Sequence, residues 1–123
     1  MCLEQVIPVL RVSDIDIAKD FYLSFLKFDF DWEYKIKNGC YNYLQISKGK
    51  CILHLTEYCE NDFSRTEIRI ETEDLPYYQQ LLSANPSHHI SAEIVDMDWG
   101  TRDMIIRDPF GNQLTFTTGA VNE

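Results

Sequence analysis

The sequence has 123 residues, 45% of them hydrophobic, and a formal net charge of −9 at pH 7. Such a chain supports one compact domain or two very small modules with a shared core, and its apolar content excludes a disordered protein. No segment approaches the roughly 18 apolar residues of a membrane span, and the acidic balance opposes binding to phosphates, so we expect neither a membrane nor a nucleic-acid partner.

The N-terminus and the cysteines favour a cytoplasmic location. Residues 1–4 (MCLE) lack the basic start and apolar stretch of a signal peptide. The four cysteines are Cys2, Cys40, Cys51 and Cys59. They form no C-x-x-C pair and lack the close histidine spacing of a structural zinc site. They could form two disulfides, but without an export signal reduced thiols are the better interpretation.

The chain begins with a predicted strand and a predicted helix. The β-branched run over residues 6–12 (VIPVLRV) is typical of a strand, and Pro8 favours an edge or the strand's beginning. Ser13 and Asp14 supply a helix cap, and residues 14–27 carry a broad apolar stripe that predicts an amphipathic helix. The stripe consists of two rows, Ile17, Phe21 and Phe25 beside Ala18, Tyr22 and Leu26.

Three further strands are predicted at residues 30–36, 41–47 and 51–56. The pairs Asn38-Gly39 and Lys48-Gly49 separate them and indicate hairpin turns. The first half therefore has the order β-α-β-β-β.

The second half repeats this order. Residues 67–70 predict a strand and residues 74–84 a helix, with Pro76 in its first turn and Asn85-Pro86 as its stop. The remaining predicted elements are strands at 91–95, 102–107 and 113–118, with residues 108–112 (DPFGN) as the last hairpin loop.

The repeated order predicts one α+β domain over residues 1–123, with modules at about 5–57 and 65–118. A module of roughly 60 residues barely buries a core alone, so we expect the two sheets to form a half-barrel with a ligand cleft. Exposed sheet edges then favour a homodimer.

Three stretches carry a family resemblance. Residues 9–34 (VLRVSDIDIAKDFYLSFLKFDFDWEY) resemble the first module of the glyoxalase/bleomycin-resistance/dioxygenase superfamily, also called vicinal oxygen chelate proteins. Residues 99–102 (WGTR) and 107–116 (RDPFGNQLTF) are similar to that family's last two strands and their D-P-x-G-N hairpin. Residues 43–58 (YLQISKGKCILHLTEY) are similar to its bleomycin-resistance-like subgroup.

The resemblance also locates the metal positions of the family. Metal-dependent members hold a divalent ion with His, Glu or Gln side chains on the first strand of each module and on the last strand. The corresponding positions here are Ile7, Arg65 and Thr115. An apolar chain, a guanidinium and a hydroxyl make no competent ligand set, so we expect no metal and no cofactor.

The resemblance then implies a metal-free binding protein of the bleomycin-resistance type, which sequesters an aromatic, cationic small molecule. The expected ligand-binding residues are Trp99, Trp32, Tyr43, Phe110, His54 and Arg102. The tryptophans would stack on the ligand, Tyr43 and Phe110 would line the cleft, and His54 and Arg102 would offer polar contacts.

Three of these assignments have a structural alternative. Trp32 could be a packed strand residue, and His54 a strand histidine satisfied by a tyrosine or carboxylate. Arg102 could pair with Asp103 or Asp108. No catalytic triad, phosphate-binding glycine loop or carboxylate pair indicates an enzyme. The alternatives for function are a metal-dependent lyase, isomerase or dioxygenase of the same superfamily, and a protein that acts only through protein contacts.

Overall fold

The computed structural model describes residues 1–36, 41–57, 65–85 and 92–119. The chain divides into two compact units, Met1–Ser64 and Arg65–Glu123. Each unit contains one four-stranded sheet and one helical segment, in the order β-α-β-β-β. The predicted α+β class and module order are therefore confirmed. The predicted turn at Asn38-Gly39 and the histidine pair His88-His89 lie outside the described residues.

The elements of the first unit are β1 (Val9–Arg11), α1 (Ile15–Lys19), a π-helical continuation (Asp20–Phe25), β2 (Asp29–Ile36), β3 (Tyr41–Lys48) and β4 (Cys51–Thr56). The strand order in the sheet is β1-β4-β3-β2, with β1 parallel to β4 and the other pairs antiparallel. Residues Gly49 and Lys50 form the two-residue turn between β3 and β4, with Gly49 at φ +60°.

The elements of the second unit are β5 (Glu67–Glu71), α2 (Leu75–Ser83), β6 (Ile94–Asp96), β7 (Arg102–Arg107) and β8 (Gln113–Thr118). The strand order is β5-β8-β7-β6, with β5 parallel to β8. Asp74 caps α2 by accepting from the Tyr77 N–H at 3.1 Å, and Pro76 lies in the first turn as predicted.

The first strand and first helix differ from the prediction. β1 starts at Val9 rather than at residue 6, because Pro8 has no N–H and joins the sheet only through its carbonyl, which accepts from His54 N at 3.0 Å. Asp14 caps α1 through two backbone N–H groups, as expected. The predicted core position of Ile17 is wrong, because it lies at the margin of the stripe set by Ile15, Ala18 and Tyr22 and is 49% exposed.

The helix widens after Lys19, where Leu26 N donates to Phe21 O at 2.9 Å, five residues back. This π-helical geometry keeps Phe21, Tyr22, Phe25 and Leu26 buried, as the apolar stripe predicts. Neither helical segment in the described ranges has the length and hydropathy needed to cross a bilayer.

One face of the first sheet forms the core of its unit, and the helix covers that face. Its buried side chains are Leu10, Leu44, Ile46, Leu53 and Leu55. Lys19 of α1 lies 2.6 Å from the Glu33 carboxylate and 5.6 Å from the centre of the Phe30 ring. The register pairs Phe30 with Ile46 and Glu33 with Leu44, so both contacts place α1 on the leucine-rich face.

The second unit is built in the same way. Met104, Ile106, Leu114 and Phe116 are buried on one face of its sheet, and the ring of Tyr78 from α2 packs 5.1 Å from that of Phe116. In both units the opposite face of the sheet is not covered by the unit's own helix. We call these surfaces the open faces.

Candidate functional site

The open face of the first sheet carries two cross-strand rows. The register aligns Val9, His54, Gln45 and Trp32 in one row, and Arg11, Thr56, Tyr43 and Tyr34 in the next. Because directly paired residues point to the same face, these side chains share the surface opposite α1. Strand alternation alone does not say which face of the sheet His54 occupies. The register places it on the open face.

An aromatic cluster occupies the middle of this face. The rings of Trp32 and Tyr43 are nearly parallel, 13° apart, with their centres separated by 6.2 Å. The imidazole of His54 meets both rings edge-on, at 5.4 Å from Trp32 and 5.2 Å from Tyr43. Trp32 remains 42% exposed, so its indole offers a flat surface to a ligand.

A line of hydrogen bonds runs through the same cluster. The hydroxyl of Tyr43 lies 2.8 Å from His54 Nδ1, and His54 Nε2 lies 2.9 Å from Gln45 Oε1. Gln45 Nε2 in turn donates to Asp31 at 3.1 Å, and the Ser47 hydroxyl donates to the other Asp31 oxygen at 3.1 Å. Five side chains from β2, β3 and β4 thus hold one another in place.

Burial sets the protonation of the cluster. Partial burial lowers the pKa of His54 and raises the pKa of Tyr43. Both side chains are therefore neutral at pH 7. The negative charge of the network resides on Asp31, at its exposed end.

A concavity of about 500 Å³ lies beside the cluster, lined by Trp32, Glu33, Tyr34 and Tyr43. The lining is mostly aromatic, whereas the Glu33 side chain points to the opposite face of the sheet, where Lys19 of α1 binds its carboxylate. Flat aromatic rings, with the Asp31 carboxylate on the same face, suit a planar molecule that carries positive charge.

Two residues of this cluster are not apparent from the sequence. Strict alternation along β2 would put Phe30 and Trp32 on one face and Asp31 on the other. The structure has a β-bulge between Phe30 and Trp32, so Phe30 faces the helix while Asp31 and Trp32 both serve the open face. Gln45 has no sequence signal beyond its position two residues after Tyr43 on a predicted strand.

The other three predicted site residues belong to the second unit. Trp99 lies in the turn between β6 and β7, where Gly100 N donates to Met97 O at 3.0 Å, and its indole is 42% exposed. Phe110 is half-buried in the loop between β7 and β8, with its N–H bound to the Asp108 carboxylate at 2.9 Å. These turns lie at opposite ends of the six-residue β7, roughly 16 Å apart, so the structure does not bring Trp99 and Phe110 together within this unit.

Arg102 pairs with a residue that the sequence analysis did not name. Its Nε donates to Asp96 at 2.8 Å, across the β6–β7 pair, in an ion pair exposed on both sides. Neither Asp103 nor Asp108 is this partner, so that alternative is wrong. Arg102, Met104 and Ile106 occupy every second position of β7, so Arg102 shares their face of the sheet, opposite Asp103.

Asp103 is instead the centre of a polar cluster on the second open face. Its carboxylate accepts from both terminal nitrogens of Arg69 at 3.2 Å, from Thr117 at 2.6 Å and from Thr101 at 3.1 Å. Burial raises the pKa of Asp103, but these hydrogen bonds and the Arg69 charge outweigh it and hold the pKa below its usual range. A concavity of about 680 Å³ adjoins Arg69, Thr101 and Thr117.

The residues at the family's metal positions do not fit a metal. Ile7 is apolar, Arg65 is exposed and extends along the Gly111 turn, and the Thr115 hydroxyl is buried in β8. Within residues 1–36, 41–57, 65–85 and 92–119, no three His, Cys, Asp or Glu side chains converge on a point where an ion could bind. This donor set supports no chemistry through a bound metal.

Comparison with known proteins places the chain in a family. The sequence pattern of the glyoxalase superfamily matches residues 1–122, and the chain belongs to that superfamily. None of the curated protein sequences matches the chain.

Solved structures with the same fold include both binding proteins and an enzyme. A bleomycin-binding protein complexed with bleomycin superposes with a TM-score of 0.75 at 17% identity, covering 96% of this chain and 100% of that one. The bleomycin-binding protein of Streptomyces verticillus, complexed with copper(II)-bleomycin, gives 0.73 at 21% identity, covering 98% and 99%. Lactoylglutathione lyase from Agrobacterium tumefaciens gives 0.71 at 15% identity, covering 96% of each chain. At these identities the likeness shows the fold alone, so function has to be argued from the site.

Proposed function

We propose that this protein binds and sequesters a planar, cationic aromatic small molecule without a metal ion. The observation that carries the proposal is the half-exposed Trp32 indole, stacked on Tyr43 and braced by His54, on the open face of the first sheet. Contiguous exposed aromatic surface beside a concavity is typical of a ligand-binding site.

The chemistry of the cluster matches such a ligand. A flat heterocycle stacks on the indole face, and a positive charge on the ligand gains cation–π attraction from the same ring. Asp31, next to Trp32 on β2, adds a carboxylate on the same open face. The chain's net charge of −9 would further attract a cation, chiefly by raising the association rate.

The main rival is a metal-dependent lyase, isomerase or dioxygenase of the same superfamily. The likeness to lactoylglutathione lyase shows that an enzyme can have this fold, and it carries no information about the site of this chain. The set Ile7, Arg65 and Thr115 counts against it, because none of the three is a good ligand for a divalent cation.

We also propose that the protein is a homodimer and that Trp99 and Phe110 contribute to ligand binding. Partly exposed apolar side chains on the open face of the second sheet, Val95 and Ile105, favour burial against a second copy. Both parts of this proposal are open to direct measurement.

The function is tested by calorimetric titration of bleomycin and 9-aminoacridine into wild-type protein, Trp32→Ala and Trp99→Ala. We expect saturable binding to wild type and a loss of about tenfold or more in Trp32→Ala, because stacking and cation–π contact together amount to roughly 1–3 kcal/mol. Unchanged thermal unfolding of the variants controls for folding. Binding that is equally tight in Trp32→Ala would contradict the site, and no binding of either compound would contradict the function.

A further inference from the structure

The hydrogen-bond line on the first open face has a fixed direction, which begins at Asp31. A carboxylate accepts hydrogen bonds and donates none. Both of its neighbours act accordingly, since the Ser47 hydroxyl and the Gln45 amide each present a hydrogen to a separate Asp31 oxygen.

The hydrogen bond to Asp31 orients the Gln45 amide. With Nε2 directed at Asp31, the carbonyl oxygen Oε1 is the atom that faces His54, at 2.9 Å from Nε2 of the imidazole. A carbonyl oxygen only accepts, so the imidazole has to carry its proton on Nε2.

The tautomer of His54 then orients Tyr43. A neutral imidazole with its hydrogen on Nε2 has a lone pair on Nδ1, and the Tyr43 hydroxyl is 2.8 Å from that atom. The hydroxyl therefore donates its only hydrogen to His54. The lowered pKa of His54, caused by burial, keeps the imidazole in the neutral form at pH 7.

We propose that Tyr43 is a specificity residue whose hydroxyl, locked as a donor to His54, offers only lone pairs to a ligand stacked on Trp32. The site then prefers cationic aromatics that carry an N–H group over those whose nitrogen is alkylated. This inference rests on the proposed function, because it concerns the ligand of the same aromatic cluster.

Two flat monocations of similar size test the preference. 9-Aminoacridine, protonated at neutral pH, has N–H donors, whereas 10-methylacridinium has none. A hydrogen bond to a charged donor is worth enough for about a tenfold difference in dissociation constant. We expect 9-aminoacridine to bind wild-type protein about tenfold more tightly.

Two variants and a matched control locate the preference. Tyr43→Phe keeps the ring but removes the hydroxyl, so it should abolish the preference by bringing the two dissociation constants together. Tyr77→Phe is the control, since Tyr77 is an exposed tyrosine on α2 of the second unit and does not line the concavity beside Trp32. Gln45→Met should weaken the preference, because it removes the acceptor that holds the His54 tautomer.

Nitrogen-15 NMR of the free protein tests the direction of the chain without any ligand. We expect His54 to carry its proton on Nε2 in wild type and to lose that bias in Gln45→Met. A proton on Nδ1 in wild type overturns the inference. Equal affinity of the two acridines for wild type overturns it while leaving the proposed function standing, whereas no binding of either compound overturns both.

Discussion

The Tyr43 hydroxyl and the His54 Nδ1 atom lie 2.8 Å apart on neighbouring strands of the first sheet. This hydrogen bond connects the aromatic surface of β2 and β3 to His54 on β4, which is neutral at pH 7. Because this hydrogen bond already orients the Tyr43 ring, a ligand that stacks on the cluster costs little further side-chain ordering.

The lowered pKa of His54 predicts a pH dependence of stability. The unfolded chain binds a proton at His54 more readily, near a pKa of about 6.5. The contribution is thus complete above that pH and is lost as the pH falls through the lowered folded pKa. The other titratable or charged groups on this face are Tyr43, Tyr34, Arg11 and, through Gln45, Asp31. Urea unfolding between pH 5 and 7.5 should show a steeper decline in wild type than in His54→Gln; parallel curves would contradict the assignment.

The buried Asp103 carboxylate predicts a stability difference between two ion pairs on the second sheet. Asp103→Asn should lower the free energy of unfolding by about 2–3 kcal/mol, because it weakens hydrogen bonds from Arg69, Thr101 and Thr117 to a buried charge. Asp96→Asn is the matched control, with an expected cost below about 1 kcal/mol, because its pair with Arg102 is exposed. Similar losses in chemical denaturation of the two variants would refute this account.

The set of Ile7, Arg65 and Thr115 predicts a protein without a stoichiometric transition metal. Elemental analysis of protein expressed with added zinc, nickel and manganese measures the content directly. About one metal per chain, together with an activity that chelation removes, would contradict the metal-free proposal and favour the metal-dependent enzyme.

The homodimer proposal predicts a mass in solution of twice 14.5 kDa. The physical reason is the partly exposed apolar side chains of the second open face, Val95 and Ile105. Light scattering coupled to size exclusion at micromolar concentration gives the mass, and a value for a single chain would be the contrary result.

Much of the fold follows from local sequence signals. The hairpin at Asp108–Asn112 forms because the Asp108 carboxylate accepts from the backbone of Phe110 and Asn112, which is the purpose of an Asp at that position of a turn. The helix stripe and the strands of both halves are equally local. What the periodicity misses is the π-helical register after Lys19, which depends on packing rather than on residue type.

The candidate site is only partly predictable for the same reason. Trp32, Tyr43 and His54 can be proposed from strand positions and a family resemblance, and the structure brings these three together. Asp31 cannot, because the β-bulge that turns it toward Gln45 has no clear signature in the sequence. The pairing of Arg69 with Asp103 is also missed, since it joins strands 34 residues apart.

The central claim is that the Trp32 surface binds a cationic planar ligand, and one fluorescence titration tests it most directly. In Trp99→Phe, Trp32 is the one remaining indole of the sequence, so its emission reports this site alone. Adding 9-aminoacridine should quench the emission saturably, with a weaker apparent affinity as salt rises past a few tenths molar. Emission that falls only linearly with ligand concentration, at low and high salt alike, would contradict the account.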